Sequence, residues 1–262
     1  MPELPEVEHT RRNLVRWMKG ARIAEVTATD ARIAKPSPRA FVKALTGRVV
    51  TAIDRKGKWL RLLLDDGTRV FGHLGMTGWF EQAGPEPLRF ERVGFVLAKK
   101  KKRVAYVDSR RWGRLEIARA DVAGWTALGP DPLADGIDRA LLATKLARRK
   151  KTSVKEALMD QKVLAGVGNI QAIEALWKAK IDPRSRAGAM TAKDVAAIAE
   201  ALKWTIARTL ADLAKGDAGA ENPFVIYGRK GTPCRRCKTL LVRADLGGRT
   251  TTWCPGCQAL KR

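Results

Sequence analysis

The chain has 262 residues, enough for two or three domains, and its 45% hydrophobic and 30% charged residues are typical of a folded globular protein. No apolar run approaches the roughly 18 residues that span a bilayer, and the acidic N-terminus lacks the apolar core of a signal peptide. The 51 lysines and arginines against 27 acidic residues give a net charge of +24, which predicts a polyanionic partner and favours nucleic acid over a membrane surface.

The N-terminal part of the chain combines one opening helix with a series of strand-like segments. The helix begins near Pro5 and ends at Gly20, and a short second helix covers 37–45. Strand patterns follow at 48–53, 59–64, 69–74, 92–98, 104–107 and 114–118. This order predicts a β-sandwich with an added N-terminal helix.

After a Pro/Gly linker at 128–133 the pattern becomes helical. Apolar residues recur at helical spacing in 140–147, 153–160, 170–179 and 193–213. A Gly/Pro-containing segment then leads to a region that holds all the cysteines. We therefore predict a multidomain α+β protein with a β-rich domain at 1–127, a helical domain at 128–222 and a zinc finger at 223–262.

The four cysteines form two CxxC pairs with sixteen residues between them. They are Cys234, Cys237, Cys254 and Cys257. Without a secretion signal this spacing indicates zinc rather than disulfides, and it predicts a cytoplasmic protein. Four thiolates fill a tetrahedral site, so we expect one structural zinc ion.

A glycine-rich turn at 166–169 separates two predicted helices and follows a basic block that includes Lys150 and Lys155. Free amides at a helix start can bind an anion, and Asn169 could either cap the helix or hold a phosphate. A structural turn beside a solvated basic face explains these residues equally well.

Pro2 directly follows Met1, so removal of Met1 would expose a secondary amine. An α-amino group has a pKa of about 8, and its neutral form could attack a sugar C1′ to give an iminium Schiff base. Glu3 could then act as a general acid or base. Without further context, Glu3 and Glu6 favour an ordinary helix start, since acidic residues suit the positive end of a helix dipole.

Nine segments spread over the chain carry distinctive motifs. They are MPELPEVE at 1–8, RKGKWL at 55–60, HLGMTG at 73–78, DSRRWG at 108–113, LGPDPL at 128–133, KKTSVK at 150–155, GVGNI at 166–170, YGRKG at 227–231 and GRTTTWCPGC at 248–257. Through them the whole chain resembles the formamidopyrimidine-DNA glycosylase/endonuclease VIII family of base-excision repair enzymes. Pro2 with Leu4 resembles the formamidopyrimidine branch more closely.

The resemblance implies a bifunctional DNA glycosylase/AP lyase that flips an oxidised or ring-opened base out of duplex DNA and cleaves the strand by β,δ-elimination. Pro2 would attack C1′, and Glu3 would protonate the sugar ring oxygen or manage the protons of elimination. Lys58 would contact a phosphate and assist β-elimination. Arg249 would bind phosphate and assist δ-elimination.

The resemblance also implies DNA-binding residues and a helix–two-turn–helix domain in the helical part. His73 and Asn169 would hold phosphates, and Lys150 and Lys155 of the basic block would also contact the DNA. The void left by the flipped base would be filled by Met76, Arg110 and Trp112. An apolar chain, a cation and an aromatic wedge suit the void. Core packing is otherwise the commoner role of single residues such as Met76 and Trp112.

Two departures from the family pattern concern the substrate. The segment from Lys215 to Ile226 is shorter than the loop with which many relatives close over an extruded 8-oxoguanine. Ring-opened purines, further-oxidised guanine products and oxidised pyrimidines therefore all stay open as lesions. Phe90 stands roughly where relatives place a DNA-contacting histidine, and Trp112 where they more often have phenylalanine.

The expected partner is damaged double-stranded DNA. We expect a monomer that needs no small-molecule cofactor, binds no membrane and is located in a bacterial-type cytoplasm, at the nucleoid. An alternative of another class is a non-catalytic zinc-finger protein that binds damaged or bent DNA. It would need the basic surface, the finger and the wedge, but not Pro2, Glu3 or Lys58. A retained Met1 would block the amine and favour this alternative.

Overall fold

The computed structural model describes residues 2–99, 102–216 and 223–262. Met1 and most of the short segment between Lys215 and Ile226 lie outside the described residues. The chain divides into two compact units, one holding Glu6–Ala127 with Pro2, the other holding Leu128–Arg262 with Glu3–Pro5. Within the described ranges, no helix is both long and apolar enough to cross a membrane.

The first unit contains two sheets and three helices. Its helices are α1 (Leu4–Met18), α2 (Pro38–Leu45) and α3 (Ala123–Thr126). Its strands are β1 (Ile23–Ala28), β2 (Ala34–Lys35), β3 (Val50–Lys56), β4 (Trp59–Leu64), β5 (Arg69–His73), β6 (Trp79–Ala83), β7 (Glu91–Leu97), β8 (Arg103–Val107) and β9 (Arg114–Ala118). One sheet has the order β1-β7-β8-β6, and the other has the order β2-β9-β5-β4-β3.

The core of the first unit lies between these sheets and the first two helices. Side chains alternate across β4, so Leu60, Leu62 and Leu64 all point inward. They join one cluster of buried residues with Phe95 of the other sheet and Leu14 of α1. The predicted β-sandwich with an added helix is thereby confirmed.

The second unit combines helices with a C-terminal hairpin. Its elements are α4 (Arg139–Ala147), α5 (Val154–Met159), α6 (Asn169–Lys178), a 3₁₀ turn (Ala187–Ala189), α7 (Ala192–Ala214), β10 (Val242–Asp245) and β11 (Thr250–Trp253). Capping boxes start α5 at Ser153 with Glu156 and α7 at Thr191 with Asp194, where each hydroxyl and carboxylate satisfies a free amide of the first turn.

The cysteine region packs on α6 rather than standing apart. Ile173 and Trp177 of α6 share a buried cluster with Val225, Ile226 and Leu241. The side chain of Arg236 also donates to the carbonyls of Trp177 (2.9 Å) and Lys178 (3.4 Å). A guanidinium at the C-terminal end of a helix satisfies carbonyls that have no helical partner.

Candidate functional site

The carboxylate of Glu3 occupies the start of α6. Glu3 is 2% exposed, and its oxygens accept hydrogen bonds from the amides of Ile170 (2.9 Å), Gln171 (3.0 Å) and Gly168 (3.1 Å). A Cβ at Gly168 would overlap the carboxyl group of Glu3, so this close approach requires glycine. The amides at the start of α6, which the sequence analysis considered as a site for an external anion, therefore bind the chain's own carboxylate.

This arrangement anchors the N-terminal end of the chain. Pro2 is half-buried and directly precedes Glu3. Because three amides hold the Glu3 carboxylate, the residue next to Pro2 is fixed by a rigid helix rather than by a flexible terminus. The amine of Pro2 would thus be presented within one residue of a buried carboxylate.

Lys58 lies in the tight turn between β3 and β4. Lys56 pairs with Trp59, so the turn consists of Gly57 and Lys58 alone. Gly57 has φ of +57°, as expected for a glycine at the first central position of a two-residue hairpin turn. The lysine is half-buried and its position is set by the flanking strands.

His73 ends β5 directly opposite Trp59, and the two rings meet edge to face at 5.2 Å. Burial, together with the charge of Lys58, lowers the pKa of His73 below its usual range. Its Nδ1 accepts a hydrogen bond from the amide of Gly75 (3.1 Å). The imidazole is therefore neutral with its proton on Nε2, which leaves an N–H donor suited to a phosphate oxygen.

The three predicted void-filling residues lie on two neighbouring segments of the first unit. Met76 is half-buried, whereas Trp112 is 59% exposed. The Arg110 guanidinium lies over the Trp112 ring, 4.2 Å from its centroid. A Cβ at Gly75 would come within 2.5 Å of the Trp112 carbonyl group, so the two segments are in direct contact.

Phe90 lies beside the second of these segments. Its carbonyl accepts a hydrogen bond from the amide of Asp108 (3.0 Å), and its φ is +65°, in the left-handed region that non-glycine residues seldom adopt. The ring is 40% exposed with the Arg89 guanidinium stacked on it. The exposed surface at this position is thus an aromatic ring covered by an arginine.

Lys155 is fully buried beneath the β10–β11 hairpin. Its Nζ donates to the carbonyls of Leu246 (3.2 Å) and Arg249 (3.5 Å), and burial lowers the pKa of Lys155 to about 8. Two of its three N–H donors are thus spent on the turn that carries Arg249. A phosphate contact by Lys155 stays a prediction that only the third donor could satisfy.

Asn169 and Arg249 also meet at this hairpin. Asn169 begins α6, and its Nδ2 donates to the carbonyl of Thr250 (2.9 Å). Arg249 is exposed and closes a turn in which Gly247 and Gly248 have positive φ values. The second unit therefore places Glu3, Asn169 and Arg249 around the start of α6. Lys150 is exposed ahead of α5, and the structure ties it to none of these three.

The sequence analysis did not predict that Glu174 of α6 would hold the segment 225–227. Glu174 is 1% exposed, and its carboxylate accepts hydrogen bonds from the amides of Val225, Ile226 and Tyr227 at 2.9–3.0 Å. Arg208 lies 3.7 Å away as a counter-charge. An acidic residue in the otherwise apolar face of α6 was the only signal that the sequence contained.

The four cysteine sulfur atoms all lie within 4.8 Å of one another. Sulfurs bound to one tetrahedral zinc ion are about 3.8 Å apart, so the cluster fits the metal. Trp177 Nε1 donates to Cys234 Sγ (3.4 Å) and Arg236 to Cys257 Sγ (3.5 Å), as outer-shell donors to zinc-bound thiolates do. One structural zinc ion belongs to this site.

Family models match three successive parts of the chain. They are the formamidopyrimidine-DNA glycosylase N-terminal domain at 1–115, the formamidopyrimidine-DNA glycosylase H2TH domain at 128–218 and a zinc finger found in FPG and IleRS at 231–260. A formamidopyrimidine-DNA glycosylase of Afipia carboxidovorans is 37% identical over 98% of this chain and 100% of its own length. The chain belongs to the formamidopyrimidine-DNA glycosylase family. A relative from Chloroflexus aggregans is 36% identical over 99% of both chains.

Solved structures of the formamidopyrimidine-DNA glycosylase family have the same fold. The Lactococcus lactis Fpg protein, in complex with DNA containing an abasic site, superposes with a TM-score of 0.89 at 29% identity over 98% of this chain and 99% of its own. The MutM (Fpg) protein of Thermus thermophilus gives 0.85 at 31% identity over the whole of both chains. The predicted family, fold class and zinc ion are confirmed.

Proposed function

We propose that this protein is a bifunctional DNA glycosylase/AP lyase of base-excision repair, acting on damaged double-stranded DNA. It releases oxidised or ring-opened bases through the amine of Pro2 and then cleaves the strand by β,δ-elimination. The observation that carries the proposal is the buried carboxylate of Glu3, held by three α6 amides directly after Pro2 in a chain of this family.

The chemistry follows from these two residues. Attack of the Pro2 nitrogen on C1′ displaces the damaged base and, as the ring oxygen is protonated and the sugar opens, leaves an iminium ion. Glu3 is the group next to this centre that can give a proton to the ring oxygen and move protons during elimination. Loss of a C2′ proton expels the 3′ phosphate, and a second elimination expels the 5′ phosphate.

Cationic side chains would stabilise the departing phosphates. Lys58, at the tip of a rigid two-residue turn, is proposed to assist β-elimination, and Arg249, at the tip of the zinc hairpin, to assist δ-elimination. Both occupy short turns fixed by antiparallel strands, which keeps a charge at a defined position without ordering cost at the moment of reaction.

The remaining predicted residues would hold the bent duplex. His73 would donate its Nε2 proton to a phosphate, and Asn169 would use the amide hydrogen not bound to Thr250. Met76, Arg110 and Trp112 would fill the void in the stack. Lys150 and Lys155 would add positive charge, in a monomer of the bacterial cytoplasm that uses no small-molecule cofactor.

A ring-opened purine is the first substrate to test. Solved relatives of this fold were crystallised with DNA containing FAPY-dG and carbocyclic 8-oxo-G. The segment from Lys215 to Ile226 is short in this chain, which argues against a long loop closing over 8-oxoguanine. We therefore expect faster release of formamidopyrimidine bases than of 8-oxoguanine.

Borohydride trapping on duplex DNA with an abasic site tests the proposal. The native protein should form a covalent adduct, and Pro2→Gly should reduce or alter it, because the adduct requires reduction of an iminium on the N-terminal amine. Mass analysis of the N-terminus establishes that Met1 is absent. No adduct from Met1-free protein that still binds DNA would favour the non-catalytic zinc-finger alternative.

A further inference from the structure

Asp108, at the end of β8, has a buried carboxylate whose bonds reach two separate segments. The residue is 0% exposed. Its carboxylate accepts hydrogen bonds from the Thr77 hydroxyl (2.6 Å), the Gly113 amide (2.8 Å) and the Arg110 amide (3.2 Å). Thr77 follows Met76, and Gly113 follows Trp112, so one carboxylate is bonded to Arg110 itself and to the residues next to Met76 and Trp112.

The backbone of Asp108 is also held in place. Its amide donates to the carbonyl of Phe90 (3.0 Å), and its carbonyl accepts from Arg92 Nε (2.9 Å). Phe90 directly precedes β7, and Arg92 is the second residue of that strand. Because the backbone of Asp108 is held on both sides, its carboxylate has a fixed position from which it can hold the neighbouring segments.

Glycines pack the same two segments around the Tyr106 hydroxyl. A Cβ at either Gly78 or Gly113 would overlap that hydroxyl oxygen. Burial and the adjacent Asp108 carboxylate raise the pKa of Tyr106 above its usual range, so the phenol stays neutral. The two segments, 73–78 and 108–113, are thus interlocked over one buried ring and one buried carboxylate.

We propose that Asp108 is a positioning residue that locks segments 73–78 and 108–113 into a single insertion unit. Met76, Arg110 and Trp112 then enter the duplex together rather than as two independent loops. The inference rests on the proposed function, since it presupposes that a flipped base leaves a void to be filled.

The physical advantage is preorganisation. An extruded base leaves a gap in the stack, and side chains already held in one arrangement fill that gap with less loss of conformational freedom on binding. The stacking of Arg110 on Trp112 extends the same arrangement to the exposed tip of the unit. Asp108 itself touches neither the sugar nor the base in this scheme.

Asp108→Asn and Thr77→Val test the inference, with Thr77→Ser as the matched control. Asparagine presents an amide donor to N–H and O–H groups that need an acceptor, and valine removes the Thr77 hydroxyl while keeping its shape. Serine keeps the hydroxyl and should retain activity within about twofold of the native protein. If Asp108→Asn does not fold, judged by its thermal unfolding, the comparison of valine with serine at position 77 decides.

The two readouts are base release from duplex DNA in a single turnover and borohydride trapping on a single-stranded abasic oligonucleotide. Only the duplex has a stack to open. We expect Asp108→Asn and Thr77→Val to slow base release from the duplex by tenfold or more. A misplaced group can slow a reaction by about 100-fold. Single-strand trapping should change less than about twofold.

Equal losses on both substrates would show a general structural defect and overturn the inference, as would unchanged release from the duplex. Failure of the native protein to trap duplex abasic DNA would instead overturn the proposed function. The two failures are therefore separable, because the first is a property of the variants and the second of the native chain.

Discussion

The two ends of α6 are closed by charged side chains that belong to opposite ends of the chain. At its start, the Glu3 carboxylate accepts from three amides, and at its end the Arg236 guanidinium donates to two carbonyls. Both follow the helix dipole, which favours a negative group at the N-terminus and a positive group at the C-terminus.

The two ends differ in what else the charged group must do. Arg236 also stacks on Trp177 and approaches a cysteine sulfur, so it fastens the zinc region to the helix. Glu3 adjoins the proposed nucleophile and leaves no room for a side chain at Gly168. The same electrostatic rule thus serves stability at one end and, in our proposal, catalysis at the other. Perturbing each end in turn tests this distinction.

Removal of zinc should have the largest effect. A module of this size gains most of its folding free energy from the metal, of the order of 10 kcal/mol or more. Chelation should therefore unfold the β10–β11 hairpin, expose Trp253 and release Arg249. Tryptophan fluorescence and duplex binding, followed during titration with a chelator, should change together and recover when zinc is restored. A DNA affinity that survives complete zinc loss would contradict this coupling.

The Gly168→Ala substitution should reduce catalysis by displacing Glu3 at the start of α6. The alanine methyl group would overlap the Glu3 carboxyl and displace it, whereas the extended backbone of this N-cap position does not itself require glycine. We expect base release to fall about 100-fold, as for other small displacements of a reacting group. Gly84→Ala is the matched control, because a Cβ at Gly84 meets nothing within 4 Å. Equal activity of the two variants would show that the Glu3 position is not required.

These contacts mark where sequence reasoning succeeds and where it stops. The zinc site could be predicted because CxxC pairs place ligands by local geometry. The role of Glu3 as an α6 cap could not, since its partners lie 165 or more residues away and the helix nearest to it in the sequence is α1. Pattern reasoning on the first turn of α1 therefore assigns the carboxylate to the wrong helix dipole.

The same limit explains the elements that the sequence analysis missed. Strand β1 contains a register shift between Ile23 and Glu25, which interrupts the alternation of buried and exposed residues on which strand prediction depends. Strand β6 is short and starts with the exposed Trp79. Burial of Lys155 was equally hidden, because lysines in a basic run are normally solvated.

The stability of the protein should depend on pH through Lys155, beneath the hairpin beside the start of α6. Burial lowers the pKa of Lys155 from 10.5 to about 8. Between these two values the unfolded chain binds more protons than the folded one, so the free energy of unfolding rises with pH. Below about pH 8 both states are protonated and the slope vanishes. The full rise is at most about 3 kcal/mol.

Thermal unfolding of the native protein and of Lys155→Met, measured from pH 7 to 10.5, isolates this contribution. The difference between the two curves should follow the titration of Lys155, because every other group is common to both. Methionine fills the space without a titrating group, so the native protein should gain stability relative to the variant as the pH rises from about 8 to 10.5. A difference that is constant with pH would show that Lys155 titrates normally.

The Arg236 end of α6 should give the smallest effect and one confined to stability. Arg236→Met removes two hydrogen bonds to carbonyls, one to Cys257 Sγ and a cation–π contact, each worth about 1 kcal/mol. Arg236→Lys keeps the charge at the helix end but loses the planar fork, so it should fall between methionine and arginine. Zinc release to a competing chelator should be slowest for the native protein, faster for Arg236→Lys and fastest for Arg236→Met, by up to about tenfold. Base release by the zinc-loaded protein should stay within about twofold. If Arg236→Met slowed base release as strongly as Gly168→Ala, both ends of α6 would serve catalysis and the distinction drawn between them would be wrong. If only zinc release changes, one helix carries two separable functions, and the side chains that close its ends divide those functions between them.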